Sequence, residues 1–233
     1  KGPLKVYDAE DRRYSYTYIS GLLTEVKVET KTGGTWSGTP TGLETVAEVD
    51  YTYLSSAGTH GQVDDLQLVT KTTPLSDGSL TSTQYYRYWR DSDSEGDDHL
   101  VKLILSPEGW RRYEGSDGNF GDNDYLTASD NDLKPYASHY FEYDGNGRIS
   151  KAIFGGDCGC GGGGIGEYNF TYTTNSSYSD GTGYDTAWMT RTVVEQPDGT
   201  YLTQYFDEVG QPLSQVITDG DPATGSPDTW VTE

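Results

Sequence analysis

Apolar and polar residues alternate along most of the chain, and the apolar partners are often aromatic. Tyr14, Tyr16 and Tyr18 would share one side of an extended strand, because successive side chains of a strand point to opposite faces. The same period of two continues in Val26-Lys27-Val28-Glu29. No window longer than a few residues has apolar residues at helical spacing. The pattern predicts an all-β protein of antiparallel strands with one apolar face and one wet face.

A composite unit recurs along the chain: an aromatic-x-aromatic strand, a turn, and a strand that alternates aliphatic and polar residues. Aligned on the last aromatic residue of each, six copies fall at positions 18, 53, 88, 143, 172 and 206, with spacings of 35, 35, 55, 29 and 34. We predict a single repeat region of about six strand pairs. Their approximate ranges are 7–31, 45–73, 80–107, 136–156, 166–197 and 199–219.

Short links rich in Gly and Asp are typical of hairpin turns. They are Asp77-Gly78, Gly145-Asn146-Gly147 and Asp198-Gly199. Three longer links, 32–42, 108–135 and 155–166, are expected to be irregular, and strand patterns resume on either side of each. Because the chain begins at Lys1 and not at Met, we expect a piece of a longer protein or a filament subunit.

The segment 139–150 reads HYFEYDGNGRIS and resembles the YD repeat, whose core is Tyr-x-Tyr-Asp-x-x-Gly-Arg-hydrophobic. The matching positions are Phe141, Tyr143, Asp144, Gly147, Arg148 and Ile149. A second segment, QYFDEVGQPLSQV, keeps Phe206, Asp207, Gly210 and Leu213. It has Gln211 where Arg is usual, and the other four copies lack the Tyr-Asp pair.

The YD-repeat (Rhs) family includes bacterial Rhs and wall-associated proteins, toxin-complex shells and teneurins. The resemblance implies antiparallel β-hairpin repeats in a curved or spiralling shell-like sheet, and an extracellular or cell-surface location. The motif residues it marks are structural, so no catalytic site is predicted. Within the motif, Asp is expected to accept hydrogen bonds from turn amides and Gly to adopt a positive φ.

The composition describes a thin structure that is rich in tyrosine. Only 33% of residues are hydrophobic, but 20 are Tyr, and a tyrosine ring buries apolar area while its hydroxyl stays wet. The net charge of -21 argues against nucleic acid, because phosphate contacts need a basic face. The absence of an apolar stretch of 18 residues argues against membrane insertion.

Two acidic segments are candidate Ca²⁺ sites, since Ca²⁺ prefers six to eight oxygen ligands. The first alternates acidic residues around Gly96 and comprises Asp91, Asp93, Glu95, Asp97 and Asp98. The second comprises Asp122, Asp124, Asp130 and Asp132. The alternative for the first segment is a solvated acidic hairpin tip, because Lys102 stands where an EF-hand loop would place its twelfth-position Glu. No cofactor is required by this reading.

Cys158 and Cys160 flank a single Gly within a glycine run. Three interpretations stay open: a strained local disulfide, free thiols or cross-links to another subunit, and metal binding.

Our leading hypothesis is a non-enzymatic scaffold segment of a secreted shell, stalk or fibre, whose partners are further repeats of the same chain or copies of itself. One alternative is an adhesive module in which exposed tryptophans stack on carbohydrate; their competing role is packing in the sheet. The candidates are Trp36, Trp89, Trp110 and Trp230. Another alternative is the encapsulating shell of a toxin-delivery protein.

Overall fold

A computed structural model describes residues 4–7, 12–33, 41–115, 124–155, 165–178, 187–223 and 229–232. These residues are mostly antiparallel β-strands, and the predicted all-β fold of hairpins is confirmed. The chain forms two compact units, an N-terminal unit, Lys1–Ser138, and a C-terminal unit, His139–Glu233. The extent of the repeat region and the curvature of its sheet stay predictions.

Seven strands of the N-terminal unit follow one another in the sheet in chain order, each antiparallel to the next. They are β1 (Leu4–Tyr7), β2 (Arg12–Ile19), β3 (Leu22–Gly33), β4 (Thr41–Tyr53), β5 (Leu66–Leu75), β6 (Gly78–Tyr88) and β7 (Val101–Leu105). This meander needs only local connections, and it places each aromatic strand beside the strand that follows it.

Seven strands of the C-terminal unit show the same order and direction. They are β8 (His139–Tyr143), β9 (Ile149–Gly155), β10 (Ile165–Thr174), β11 (Thr190–Glu195), β12 (Tyr201–Phe206), β13 (Pro212–Thr218) and β14 (Thr229–Thr232). All six predicted strand pairs are thus present as antiparallel partners in the described part of the chain.

The link 108–135 is not wholly irregular, which corrects the sequence interpretation. It contains α1 (Pro107–Glu114) and α2 (Asp130–Leu133), with one-turn 3₁₀ helices at Asp124–Leu126 and Lys134–Tyr136. Serine caps begin both α-helices: Ser106 accepts from the Gly109 amide, and Ser129 forms a capping box with Asp132. These helices are too short to show an apolar period in the sequence.

The helices cover one face of β6 and β7, and the best-buried core lies there. Tyr85, Leu103, Leu105 and Leu133 are fully buried. Over β2 to β5 most described side chains are only half-buried. The N-terminal unit therefore combines a local two-layer core with a broader single-layer sheet.

Candidate functional site

Aromatic side chains of the repeats lie together on one face of each unit. Tyr14 and Tyr16 stand opposite Val28 and Val26 across the β2–β3 pair, as the period of two predicted. In the C-terminal unit Phe154 meets two neighbours edge to edge, with ring centroids 6.3 Å from Phe141 and 5.4 Å from Tyr168. Phe154 is still 39% exposed. The aromatic face is thus a row of partly exposed rings.

A β-bulge recurs at the aligned aromatic position, which the sequence analysis did not foresee. In five of the six repeats the register shifts immediately before the last aromatic residue, and the following strand carries one extra residue there. The extra residues are Thr24, Gln67, Lys102, Ser150 and Leu213. The fifth repeat is regular, with Tyr172 directly opposite Thr192. A bulge bends and twists its strand, so the five copies share a local geometry as well as a sequence pattern.

Tyrosine hydroxyls join consecutive repeats. The Tyr53 hydroxyl donates to the Leu23 carbonyl at 2.8 Å, and the Tyr172 hydroxyl donates to the Ile149 carbonyl at 2.8 Å. Burial raises the pKa of the Tyr88 hydroxyl, and the nearby backbone of Leu66 partly offsets this shift. In each case the acceptor or partner residue sits across from the last aromatic residue of the preceding repeat.

The YD turn has the geometry that its residues predict. Asp144 Oδ1 accepts from the amides of Asn146 at 2.9 Å and Arg148 at 3.0 Å. Gly147 has a φ of 72° and donates its amide to the Asp144 carbonyl. The two hydrogen bonds to the carboxylate stabilise the turn, and Gly147 adopts the left-handed conformation that the turn requires.

Two further turns of the C-terminal unit repeat this pattern. Asp207 Oδ1 accepts from the amides of Val209 at 2.9 Å and Gln211 at 2.8 Å, and Gly210 has a φ of 81°. The turn between β11 and β12 has the same two backbone bonds around Gly199, whose φ is 83°. Gln196 holds the place of Asp144 in that turn, and Asp198 accepts from the Thr200 amide at 3.0 Å.

Arg148 links its turn to the aromatic face. It forms an ion pair with Asp144 at 2.6 Å, and its guanidinium carbon lies 4.3 Å from the centroid of the Tyr172 ring. These contacts hold the pKa of the Asp144 carboxyl below its usual value, with the Arg148 hydrogen bond as the main cause. Gln211 replaces this cation in the second YD-like segment.

The most elaborate polar centre of the N-terminal unit surrounds Arg87, which is fully buried on β6. Its guanidinium donates to the Tyr85 hydroxyl at 3.0 Å, to Asp130 at 2.6 Å, and to the carbonyls of Tyr125 and Ala128 at 2.8 Å each. The arrangement ties the helical segment to the sheet. Sequence analysis did not predict this polar centre, because its residues come from distant positions in the chain.

Asp130 also forms an ion pair with Lys102, the extra residue of the bulge in the third repeat. Lys102 Nζ lies 2.5 Å from Asp130 Oδ2 and 3.8 Å from the centroid of the Trp89 ring. Burial would raise the pKa of Asp130, but hydrogen bonds from Lys102 and Arg87 outweigh it and lower the pKa. This member of the second calcium candidate therefore already neutralises two cations.

The other members of that candidate are dispersed. Asp132 caps α2 through Ser129, and Asp124 accepts a hydrogen bond from the Tyr113 hydroxyl. Asp122 lies outside the described residues. The structure does not bring the three described carboxylates together into one group.

The first calcium candidate uses its carboxylates within its own loop. Asp91 and Asp98 each accept from the other's amide, at 2.9 and 3.0 Å, and Asp93 accepts from the Arg90 amide at 3.1 Å. No three of the carboxylates from Asp91 to Asp98, all of which are described, converge within 4.8 Å. Gly96 faces the Trp89 indole, where a Cβ would come within 2.6 Å of the ring. The conformation of this loop is thus explained without a metal ion, and calcium binding there stays a prediction.

One acidic group missed in the sequence does converge. Carboxylate oxygens of Glu25, Glu48 and Asp50 lie within 4.8 Å of one another on β3 and β4. Lys27 neutralises part of this charge through an ion pair with Glu48 at 3.2 Å. Burial and the neighbouring Glu48 raise the pKa of Asp50. Cross-strand register, and not sequence spacing, places the group together.

Two histidines lie in loops of the N-terminal unit. His99, with a left-handed φ of 67°, places Nδ1 at 2.7 Å from the buried carboxylate of Asp65, which raises the pKa of His99. His60 Nε2 lies 3.2 Å from the Leu126 carbonyl, and burial, reinforced by Arg87, lowers its pKa. Each has a structural partner.

Two of the tryptophans predicted to be exposed for sugar stacking pack against other side chains, which corrects that expectation. Trp89 is 3% exposed, beneath Lys102 and against Gly96, so its ring faces are not free for a ligand. Trp110 packs on Tyr85 and Tyr125, with centroids 5.8 and 4.9 Å apart. Trp36, Cys158 and Cys160 lie outside the described residues, as does the side chain of Trp230.

A polar groove lies on the face of the C-terminal unit opposite the one that carries Phe141, Phe154 and Tyr168. It consists of two adjoining hollows, each of about 250 Å³, that share Asn169 of β10 and Glu195 of β11. The cross-strand register places these two residues side by side and sets Tyr201 next to Glu195. Asn169 Nδ2 lies 3.2 Å from Glu195 Oε2.

The fold and turns define a class: an all-β protein of serially paired antiparallel hairpins. A comparison with protein-family models finds no match, and a comparison with curated proteins finds none either. The resemblance to YD repeats therefore stays a prediction. Within the described residues, no helix is long and apolar enough to cross a membrane.

Proposed function

We propose that this chain is a structural segment of a secreted or cell-surface shell, stalk or fibre. The observation that carries the proposal is the recurrence of one hairpin geometry. The bulge at the aligned aromatic residue recurs in five repeats, and the turn with a positive-φ glycine recurs in the C-terminal unit. Enzymes concentrate special geometry at one site, whereas a scaffold repeats it.

The tyrosine bonds support serial stacking. Tyr53 is anchored on the first repeat and Tyr172 on the fourth. Each of these repeats therefore stabilises the next, as in repeat proteins whose stability is a sum of intrinsic and nearest-neighbour terms. Such an architecture extends without needing a central core.

The half-exposed aromatic face supports an association with like surfaces. Partly buried rings such as Phe154 gain free energy when they are covered, since apolar area contributes about 25 cal/mol per Å² removed from water. We therefore propose further repeats of the chain, or other copies of it, as the partners. The resemblance to YD repeats supports an exported setting.

Assembly can be tested by light scattering over a range of protein concentrations, together with negative-stain electron microscopy. We expect a concentration-dependent increase in mass, and fibres or shell fragments in the images. Phe154→Gln should weaken assembly. Val209→Gln is the control, because Val209 is 72% exposed at a turn tip away from the aromatic face. A monodisperse monomer at every concentration would contradict the proposal.

A further inference from the structure

The polar groove of the C-terminal unit has features of a ligand site that a scaffold does not require. Its floor comprises β10, β11 and β12, and Asp221 and Pro222, which follow β13, form one wall. Each hollow is slightly smaller than typical small-molecule sites, which are roughly 300–1,000 Å³. Two such hollows in a row suit a ligand made of two small rings.

The groups in the groove offer both donors and acceptors. Asn169 is held between Glu167 and Glu195 by long hydrogen bonds of 3.3 and 3.2 Å, and its carbonyl oxygen has no partner among the described residues. Tyr201 stands directly opposite Glu195 across the β11–β12 pair, so its ring limits the space open to the carboxylate. These planar groups are therefore oriented before a ligand arrives, which reduces the entropy cost of binding.

Arg191 adds a donor that is not neutralised by an ion pair within the described residues. Within those residues it donates one long hydrogen bond, 3.3 Å from Nη2 to Thr173 Oγ1. The Nε atom is buried and has no hydrogen-bond partner in that part of the structure. Arg191 lines the groove, and its guanidinium carbon lies 5.8 Å from the centroid of the Trp188 ring, so its Nη atoms are the donors that an oxygen-bearing ligand would meet.

The charge balance narrows the ligand class. Glu195 and Asp221 oppose an anion such as phosphate, whereas Glu167 is partly neutralised by Lys151 at 3.2 Å; Arg191 opposes a simple cation. Apolar surface from Pro222 lies beside these polar groups. A neutral molecule with many hydroxyls and exposed C–H groups meets both requirements.

We infer that this groove binds a neutral saccharide, with one sugar ring in each hollow and the shared pair Asn169 and Glu195 between them. The site is independent of the scaffold proposal, because it lies on the face of one unit opposite Phe154. It also differs from the tryptophan-based adhesive hypothesis, since recognition depends on carboxylate, amide and guanidinium groups.

Saturation-transfer NMR on the full chain tests the inference. The protein should come from a host that does not glycosylate, because Asn169-Phe170-Thr171 is an acceptor sequence for N-glycosylation. The probes are methyl glycosides of glucose, galactose, mannose and N-acetylglucosamine, together with lactose and maltose. Glucuronate serves as the anionic probe and a Lys-Arg dipeptide as the cationic probe.

We expect transfer to at least one neutral saccharide, with a disaccharide binding more tightly than its component sugars. Glu195→Gln should weaken binding about tenfold, because a charge-assisted hydrogen bond becomes a weaker neutral one. Asp221→Asn should weaken it too, and this residue lies outside the strands, so folding should be preserved. Glu208→Gln changes the net charge equally at an exposed turn outside the groove and should have no effect.

Three results would overturn the inference. They are no transfer to any neutral saccharide in protein whose circular dichroism is native, transfer only to glucuronate or the dipeptide, and neutral-sugar binding that is unchanged in both groove variants. Assembly by light scattering is measured in parallel, so that failure of the saccharide site is distinguishable from failure of the scaffold proposal.

Discussion

Replacing Arg87 by Met should destabilise the N-terminal unit severely. Met keeps much of the side-chain length but removes every donor. The Tyr85 hydroxyl, the Asp130 carboxylate, and the carbonyls of Tyr125 and Ala128 each lose a hydrogen bond from the guanidinium. Tyr85 is fully buried and Tyr125 nearly so, and water has little access to the acceptors around them.

The magnitude follows from these lost partners. A buried acceptor left unsatisfied costs about 1–3 kcal/mol, and two carbonyls are affected. Asp130 keeps Lys102 at 2.5 Å, and its side chain is 25% exposed, so its charge is not left wholly uncompensated. We therefore expect a loss of about 3–5 kcal/mol, the range for breaking one side of a buried ion pair. That is a large fraction of the roughly 5–15 kcal/mol that stabilises a typical domain.

Urea unfolding followed by near-ultraviolet circular dichroism measures this loss. The ring cluster of Tyr85, Trp110 and Tyr125, with centroids 4.9–5.8 Å apart, reports on packing around Arg87. With an m-value of roughly 2 kcal/mol/M, the midpoint should fall by about 2 M. Arg111→Met is the matched control, because Arg111 lies exposed on α1 and its ion pair with Glu108 is solvated; its midpoint should not move. A shift of less than about 0.5 M for Arg87→Met, at an unchanged m-value, would refute the reasoning.

Three further predictions concern the turns, the tyrosine bonds and pH. Tyr172→Phe removes the hydroxyl bond between repeats and should cost about 1 kcal/mol in urea unfolding, whereas Tyr205→Phe should cost less. Gly147→Ala should cost about 1 kcal/mol in the same assay through its φ of 72° alone, since a Cβ there would meet no atom within 4 Å. In an NMR titration His99 should have a pKa above 6.5 because of Asp65, and Asp65→Asn should bring it back toward 6.5. The stability that this pair contributes is complete below pH 6.5 and is lost as the pH rises through the folded-state pKa.

Each of these predictions has a clear contrary result. Equal losses for the two tyrosine variants would mean that the carbonyl bond at Ile149 contributes nothing. An alanine at position 147 that leaves the unfolding midpoint unchanged would show that the turn relaxes without strain. If the pKa of His99 does not change when Asp65 is replaced, the 2.7 Å contact is not an ionic one in solution.

The strand pairs were within reach of sequence analysis because a period of two and local turn chemistry are both short-range properties. Tyr14, Tyr16 and Tyr18 share a face for that reason, and the Asp144–Arg148 turn forms from its own five residues. The helices α1 and α2 were missed because capping by Ser106 and Ser129, and not apolar periodicity, starts them.

The acidic segments show that the spacing of acidic residues in the sequence does not by itself predict a metal site. The carboxylates of Asp91 and Asp98 each accept a hydrogen bond from the other's amide, and Gly96 leaves room for the Trp89 ring. The acidic trio that does converge, Glu25, Glu48 and Asp50, comes from two strands and has no local signature.

By itself, the sequence determined the six strand pairs, their short turns and which side chains share a face, because each of these depends on neighbours a few residues away. Only the tertiary structure decided the buried partners of Arg87, the recurrent bulge, and the groove around Asn169 and Glu195. Those features depend on cross-strand register and on the packing of a distant segment. Contacts of this kind are determined by the free energy of the whole fold, and they produce no periodic pattern of residues in the sequence.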